Sequence, residues 1–431
     1  MPQTLLSDLT TMRVGGPARE YVAATSDEEI IEAVSRADAA GEPVLIIGSG
    51  SNMLVSDAGF PGLVVHDART DIPPLFFVEE DPIRPASFDD DGTGTGDGIG
   101  FDDDGASSDD DDVRSAAKAP PSPVENDSAR PAKRPRQALV VAVAGRIWDQ
   151  LVADTVAAGF AGIEAMSGIP GTVGAAPVQN VGAYGQDISM TLFMIRAWDR
   201  LLGEVREFTK ADLDFSYRNS LLKASMHEHR PGDPKSPWWP SPRYVVLTVV
   251  LLLSQSELSM PIQWEELAVN LGVGLGDRAP LAAVREEVLR LRAKRGTLVD
   301  GFGGVPVGNF DRWSVGSFFT NPILSVDDAE RLPPEVPRFP LGEHEVGDSN
   351  ATRVQVPAAW LIENAGFGKG FGLHGPESAA TVSGLHCLAL TNRGSATTAD
   401  VVELARAVKA GVLAKYALEL VPEPNLIGVQ I

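Results

Sequence analysis

The stretch from Ser167 to Gly185 limits the folds open to this chain more than any other. It reads Ser-Gly-Ile-Pro-Gly-Thr-Val-Gly-Ala-Ala-Pro-Val-Gln-Asn-Val-Gly-Ala-Tyr-Gly. It carries no charge, and Pro170 and Pro177 fix the backbone between its glycines. An ordinary amphipathic helix is excluded, because each of its five glycines would cost about 1 kcal/mol relative to alanine. Two readings remain. One is a tight loop in a large core of helices and strands. The other is a wall laid against a flat, phosphate-bearing ligand, where glycine lets the backbone approach closely. Taken alone, the stretch does not separate them.

The surrounding chain is built to fold around such a stretch. With 431 residues it can bury a sizeable core and hold two or three domains. The longest strongly apolar run, Tyr244 to Leu253, is too short for a membrane-spanning helix and suits a buried strand. No secretory signal is expected from Met1 to Asp8, which lack a basic stretch ahead of an apolar one. The single cysteine, Cys387, excludes an internal disulfide framework, and a cytoplasmic protein is expected. A net charge of −23 argues against nucleic acid as a partner.

Residues 7 to 66 read as a small unit of strands and a helix. Tyr21 to Ala24 is a strand, Ser26 and Glu29 form a capping box, and Ile30, Ile31, Val34 and Ala37 make an apolar helix face. Val44 to Ile47 is a buried strand that runs into Gly48-Ser49-Gly50-Ser51-Asn52. A strand feeding such a turn offers N–H groups and hydroxyls to an anion such as pyrophosphate. The turn is not the Gly-x-Gly-x-x-Gly dinucleotide fingerprint, because the third glycine is missing.

Residues 70 to 137 break the pattern. Asp89 to Asp112 holds eleven aspartates and no basic residue, and Pro-rich and basic sequence follows. A disordered surface insertion is expected. Its aspartates lack the spacing of a calcium loop. Order is expected to return with a strand over Ala138–Gly145 and a helix over Trp148–Ala158. Beyond the central stretch come a Pro-rich loop over Arg230–Pro242 and a helix over Leu281–Lys294. A last helix starts near Thr398 or Asp400, with Leu413 on its apolar side, and Leu426–Val429 is a closing strand.

Four short pieces could do chemistry: Tyr217-Arg218-Asn219-Ser220, Gly316 to Pro322 around Ser317, Pro422-Glu423-Pro424, and His386 beside Cys387. Each has a bland reading: a surface arginine, a turn serine, a solvated glutamate, a satisfied core histidine. No Ser-His-Asp triad or zinc spacing is present, and no metal is expected.

Together and in this order, the pieces resemble the UDP-N-acetylenolpyruvoylglucosamine reductase (MurB) family of cell-wall enzymes, also called UDP-N-acetylmuramate dehydrogenases. The matching segments are Thr11 to Ala18, Gly48 to Asn52, Ser167 to Gly185, Tyr217 to Ser220, Gly316 to Pro322, and Pro422-Glu423 with Ile427-Gly428. The resemblance implies an α+β fold: a vanillyl-alcohol-oxidase (PCMH-type) FAD-binding unit in two lobes plus a C-terminal substrate-binding domain. It divides the chain into lobe 1 (1–69), the acidic insertion (70–137), lobe 2 (138–296), the substrate domain (297–418) and a returning C-terminal strand (419–431).

The resemblance also implies an activity: NADPH-dependent, FAD-mediated reduction of an enolpyruvyl sugar nucleotide in peptidoglycan precursor synthesis. A flavin oxidoreductase of the same fold with another substrate is the alternative. By family position, Arg218 is the cation beside the substrate carboxylate, Glu423 the acid and Ser317 the proton donor. Gly48, Ser49, Gly50, Ser51 and Asn52, with Ser167, Gly168, Ile169, Pro170, Gly171, Gly174 and Gly182, would hold FAD. Tyr184, Trp264, Arg295 and Asn321 would contact the UDP-sugar. A monomer acting on small molecules, away from membranes and nucleic acids, is expected. The chain departs from the family pattern in short places: Trp264 stands for a tyrosine, Arg295 falls near the family's lysine with Lys294 as the alternative, and Pro424-Asn425 stands for Val-Arg.

Overall fold

The computed structural model describes residues 3–79, 136–230, 233–298, 309–341 and 353–431. The acidic and Pro-rich part of the insertion, residues 80–135, lies outside the described residues, and so does the expectation of disorder there.

The first lobe is a parallel sheet in the order β1 (Ala18–Ala24), β4 (Phe60–Asp67), β2 (Val44–Ile47). Helix α1 (Asp27–Ala39) covers it. Ser26 Oγ accepts the Glu29 N–H at 3.2 Å, while the Glu29 carboxylate takes the N–H of Thr25 at 2.6 Å. Ile30, Ala33, Val34 and Ala37 are the face α1 buries against the sheet.

The second lobe is an antiparallel sheet. Its order runs Glu204–Thr209, Leu192–Asp199, Tyr244–Gln255, β6 (Gln137–Val143), β5 (Leu75–Glu79), and Phe160–Ala161 pairs with the far end of the long strand. Strand β5 corrects the expectation that the insertion is irregular from residue 70. Leu75 to Glu79 pair with Val141 to Gln137, so the ordered sheet reaches Glu79. Expecting the strand Tyr244–Leu253 to be buried was sound, and its environment explains the unbroken apolar run. Tyr244, Val246, Val249, Leu251 and Leu253 pack into the second lobe, whereas Val245 and Leu247 pack under α1 in the first. A strand buried on both faces has no polar side to alternate with. Each such side chain contributes about 1.5–3 kcal/mol when fully buried.

Helix α2 (Trp148–Ala157) closes one face of this sheet. Helices α4 (Glu265–Leu271) and α5 (Leu281–Lys294) pack together over Ala165 and Tyr184. The segment Arg230–Pro242, expected to be a loop, contains a two-stranded pairing of His229–Arg230 with Asp233–Pro237.

The C-terminal part has its own core, formed by the helices Ala358–Asn364 and Thr398–Tyr416 with the strands Ala380–Val382 and Leu390–Asn392. Thr397 and Asp400 form the capping box that starts the long helix. Val412 is fully buried on its inner face, so the neighbouring Leu413 turns outward. The chain ends by returning to the first lobe. Asn425–Ile427 pairs in parallel with β3 (Met53–Val55), and the expected strand to Val429 stops at Ile427 because Gly428 takes φ 71°. Among the described residues no helix is long and apolar enough to cross a membrane.

Candidate active site

A cavity of ≈ 300 Å³ runs between the two lobes and the C-terminal domain. Its floor begins where β2 ends. Gly48, Ser49, Gly50, Ser51 and Asn52 all line it, as do Ile169, Pro170, Gly171, Gly174 and Gly182 of the central stretch. The two segments are stitched together: Ser51 Oγ donates to Pro170 O at 3.2 Å, and Asn52 Nδ2 donates to Gln179 Oε1 at 2.5 Å.

Close approach explains two of the glycines. A Cβ on Gly48 would sit 2.4 Å from Thr172 Oγ1, and one on Gly174 would sit 2.4 Å from the Cβ of Ala144. The backbone binds in register there, with Gly174 N–H donating to Ala144 O at 2.8 Å and Val173 N–H to Arg146 O at 2.8 Å. The central stretch is therefore packed onto the end of β6 and cannot accept side chains at these points.

Ser167 and Gly168 differ from their neighbours. Neither lines the cavity. Ser167 is fully buried and its hydroxyl donates to Glu164 O at 2.7 Å. Gly168 N–H donates to Asp149, whose carboxylate also receives both terminal nitrogens of Arg285 at 2.7 Å. Gly168 anchors the wall to α2 and α5, and Ser167 to the turn Glu164–Met166, rather than forming its surface.

Arg218, Ser317 and Glu423 line the same cavity. Backbone pairing brings the last two together. Phe318 N–H donates to Leu388 O, Glu423 N–H to Phe318 O at 2.9 Å, and Thr320 N–H to Val421 O at 3.0 Å. Phe318 and Phe319 are fully buried, which fixes Ser317 between them and Gly316. Asn425 N–H donates to Asn52 O, so the turn bearing Glu423 is tied to the glycine turn of the first lobe.

Arg218 reaches Glu423 from a third direction. No strand leads straight into it: a short 3₁₀ turn at Ala211–Leu213 and the left-handed Asp214 separate it from the strand Glu204–Thr209. Arg218 itself has φ 54°. Its Nη1 and Nη2 donate to Asn180 O and Gly182 O, and its Nε lies 3.1 Å from Glu423 Oε1. Burial raises the proton affinity of Glu423 above the ordinary carboxylate range, while Arg218 and Lys223 pull it down; burial wins. Glu423 is thus an acid that holds its proton to higher pH than usual, beside the Arg218 guanidinium.

The cavity chemistry fits a dinucleotide with a flat ring. Ser49 Oγ is buried with no hydrogen-bond partner, at the turn where a phosphate oxygen could accept from it. Arg292 lines the cavity with its Nε unpartnered, and apolar Ile46, Val246 and Leu298 supply surface for rings. Those residues, with Gly48 to Asn52, would hold FAD.

Three of the four expected substrate contacts form one cluster outside the cavity lining. Tyr184 OH accepts from Arg295 Nη1 at 3.2 Å, Trp264 stands edge-on to Tyr184 with centroids 6.1 Å apart, and Arg295 pairs with Glu266. Arg292, less than one turn before Arg295 on α5, links this cluster to the cavity. Asn321 is elsewhere: its Oδ1 accepts the N–H of Ala358 at 3.0 Å and caps a helix.

His386 accepts the N–H of Leu388 on Nδ1 at 3.1 Å and holds a turn, and Cys387 beside it is buried. Lys223 and Arg292 line the cavity without having been singled out from sequence. Lys223 lies three residues after the helix-capping Ser220, and Arg292 lies seven after Arg285, on the same face of α5. Those spacings are the only local signals for them. Among the described residues no group of three or more His, Cys, Asp or Glu could hold a metal ion.

Residues 307–427 match the family model of the UDP-N-acetylenolpyruvoylglucosamine reductase C-terminal domain, and residues 133–208 match that of an FAD binding domain. The UDP-N-acetylenolpyruvoylglucosamine reductase of Streptomyces coelicolor is 40% identical over 437 residues, which covers 99% of this chain and 90% of the relative. That of Thermobifida fusca is 39% identical, covering 99% of this chain and 97% of the relative. The crystal structure of the UDP-N-acetylenolpyruvylglucosamine reductase (MurB) from Thermus caldophilus aligns with a TM-score of 0.53 at 21% identity, covering 99% of this chain and 98% of that one. The fold is accordingly the α+β, two-lobed FAD-binding type with an added C-terminal domain.

Proposed function

We propose that the chain, which belongs to the UDP-N-acetylenolpyruvoylglucosamine reductase family, reduces UDP-N-acetylenolpyruvoylglucosamine to UDP-N-acetylmuramate with NADPH as the electron source. FAD, which Gly48 to Asn52 and the wall Ile169 to Gly182 would hold, would supply the hydride chemistry between the nicotinamide and the vinyl CH2 carbon of the substrate. The observation that carries the proposal is that Arg218, Ser317 and Glu423 line the same cavity as the glycine turn Gly48 to Asn52.

Hydride addition to the vinyl carbon drives negative charge onto the substrate carboxylate. Arg218 and Glu423, whose burial raises its proton affinity, stabilise that charge where it develops, and they are oriented before the substrate arrives. Ser317 gives a proton to the carbon that bears the carboxylate, completing addition of one hydride and one proton across the double bond. A serine hydroxyl is a weak acid, so this step depends on the cationic surroundings supplied by Arg218. Tyr184, Trp264 and Arg295 take the nucleotide end of the substrate. In this reading the enzyme works as a monomer in the cytoplasm.

An anaerobic titration tests this reading. NADPH should bleach the flavin absorbance, and UDP-N-acetylenolpyruvoylglucosamine should restore it with one equivalent of product. A flavin that stays bleached on addition of the sugar nucleotide overturns the proposal.

A further inference from the structure

The cavity holds a cation that the proposed reaction does not yet use. Lys223 is the third residue of the short helix α3 (Leu221–Ser225). Its backbone N–H donates to the capping Ser220 Oγ at 3.3 Å, and that hydroxyl donates to Val178 O of the central stretch at 2.6 Å. Its ammonium donates to the carbonyl oxygen of Arg218 at 3.2 Å. Lys223, Arg218 and Glu423 line the same cavity.

The Arg218 carbonyl belongs to a strained turn. Arg218 has φ 54°, a region that residues with a Cβ rarely adopt. Ser216 and Asn219 exchange backbone hydrogen bonds and hold the two ends of the turn. Between those ends, the bond from Lys223 holds the strained residue itself. Turning the Arg218 peptide out of this conformation would also swing its guanidinium away from Glu423.

We propose that Lys223 is a positioning residue for the reduction: its ammonium clamps the Arg218 carbonyl, keeps the guanidinium aimed at Glu423, and sets a second positive charge facing the same carboxyl. This rests on the reaction proposed above. The groups that act on Glu423 are Arg218 and Lys223, which favour loss of its proton, and the buried Tyr217 hydroxyl. Burial depresses the Lys223 ammonium itself, and Glu423 opposes that effect. The ammonium is therefore sensitive to whether the carboxyl opposite carries charge.

The test uses FAD-loaded wild type, Lys223→Met and Lys223→Arg. Flavin reduction by NADPH and flavin reoxidation by the enolpyruvyl sugar nucleotide are measured separately by stopped flow across pH. With Lys223→Met, reoxidation should slow at least tenfold while reduction by NADPH changes less than twofold. Loss of the positive charge lets Glu423 keep its proton to higher pH, so the alkaline limb of the reoxidation profile should move upward. Lys223→Arg, which retains charge and donors, should recover most of the rate. A Lys223→Met profile that overlays the wild type, or an arginine variant as impaired as the methionine one, overturns the proposal. If wild type itself is not reoxidised by the sugar nucleotide, the proposed reaction fails instead. The infrared carbonyl band of Glu423, assigned by its loss in Glu423→Gln, then decides on Lys223: its titration moves to higher pH in Lys223→Met, or the proposal falls.

Discussion

The Nε of Arg218 lies 3.1 Å from Oε1 of Glu423, a carboxyl whose burial outweighs the pull of that guanidinium on its proton. A guanidinium and a carboxyl that holds its proton to higher pH than usual are thereby kept side by side. In the proposed reaction this pair would receive the substrate carboxylate.

The arrangement carries a sign for stability. In the unfolded chain Glu423 titrates in the ordinary carboxylate range, near about 4.3. Folded, it holds its proton to higher pH. Between those two values the folded state binds more protons than the unfolded state, so stability falls as pH rises. Glu423→Gln removes this loss. Thermal unfolding of the flavin-free protein between about pH 5 and pH 9 should show the glutamine variant gaining on wild type as pH increases. Parallel curves would sink the assignment. In the loaded enzyme the same variant should slow reoxidation by about 10²–10³.

Ser317→Ala separates the proton donor from the scaffold. The backbone bonds that place residue 317 come from Phe318 and Glu423 and survive the substitution. The melting temperature and flavin reduction by NADPH should therefore be unchanged. Reoxidation by the sugar nucleotide should fall by about 10²–10⁴. Equal turnover in the variant would remove Ser317 from the mechanism.

How much of this was readable in the sequence depends on the range of the interaction. Local signals served well. Helix α5 spans Leu281–Lys294 as its apolar spacing indicates, and Ser26 caps α1. The buried strand from Tyr244 announces itself because both its faces meet apolar cores. Long-range pairings did not announce themselves. Leu75–Glu79 borders an acidic tract, and its strand partner lies beyond that tract. The pairing around Asp233–Pro237 includes Pro234 and Pro237, which disfavour strand. In the site, motif order pointed to Arg218, Ser317 and Glu423, but the pairing of Phe318 with Glu423 is visible only in three dimensions. Lys223 was missed for the same reason, since its role lies in a bond to the Arg218 carbonyl.

The register of β5 and β6 makes the acidic tract removable. Glu79 and Gln137 are direct partners across the two strands. Replacing residues 80–135 by Asn-Gly leaves a three-residue loop with Arg136, a common hairpin length. Arg136 keeps its carbonyl on Gln255 N–H at 2.7 Å. Flavin content should match the full chain and the melting temperature should change by no more than about 3 °C, since loop length enters stability only logarithmically. Loss of flavin on this replacement would show that the tract contributes to the site.

Gly174→Ala tests the packing of the central stretch directly. The added methyl falls 2.4 Å from the Cβ of Ala144 and 3.0 Å from its Cα, which belongs to the backbone and cannot yield cheaply. Overpacking of this kind costs about 1–3 kcal/mol. It also pushes the stretch off β6 toward the cavity. The melting temperature and the retained flavin absorbance should fall together, whereas Gly159→Ala, whose Cβ would meet nothing within 4 Å, isolates the cost of its φ of 75° alone.

The wall has a second anchor, and it is ionic. Asp149 of α2 accepts two bonds of 2.7 Å from Arg285 of α5 and a third from the N–H of Gly168. Asp149 is buried, so Arg285→Met leaves an uncompensated carboxylate in the interior, at a cost of about 3–5 kcal/mol. The same change frees Gly168 to move with α2 rather than with α5. Stability measured by urea unfolding should fall by that amount in Arg285→Met. It should recover in part in Asp149→Leu/Arg285→Met, where the buried carboxylate is gone but the buried Arg292 loses the charge of Asp149. Flavin affinity should recover only in part, because the leucine cannot accept the Gly168 N–H. A double variant that regained full flavin affinity would mean that the wall is held by its contacts with β6 alone.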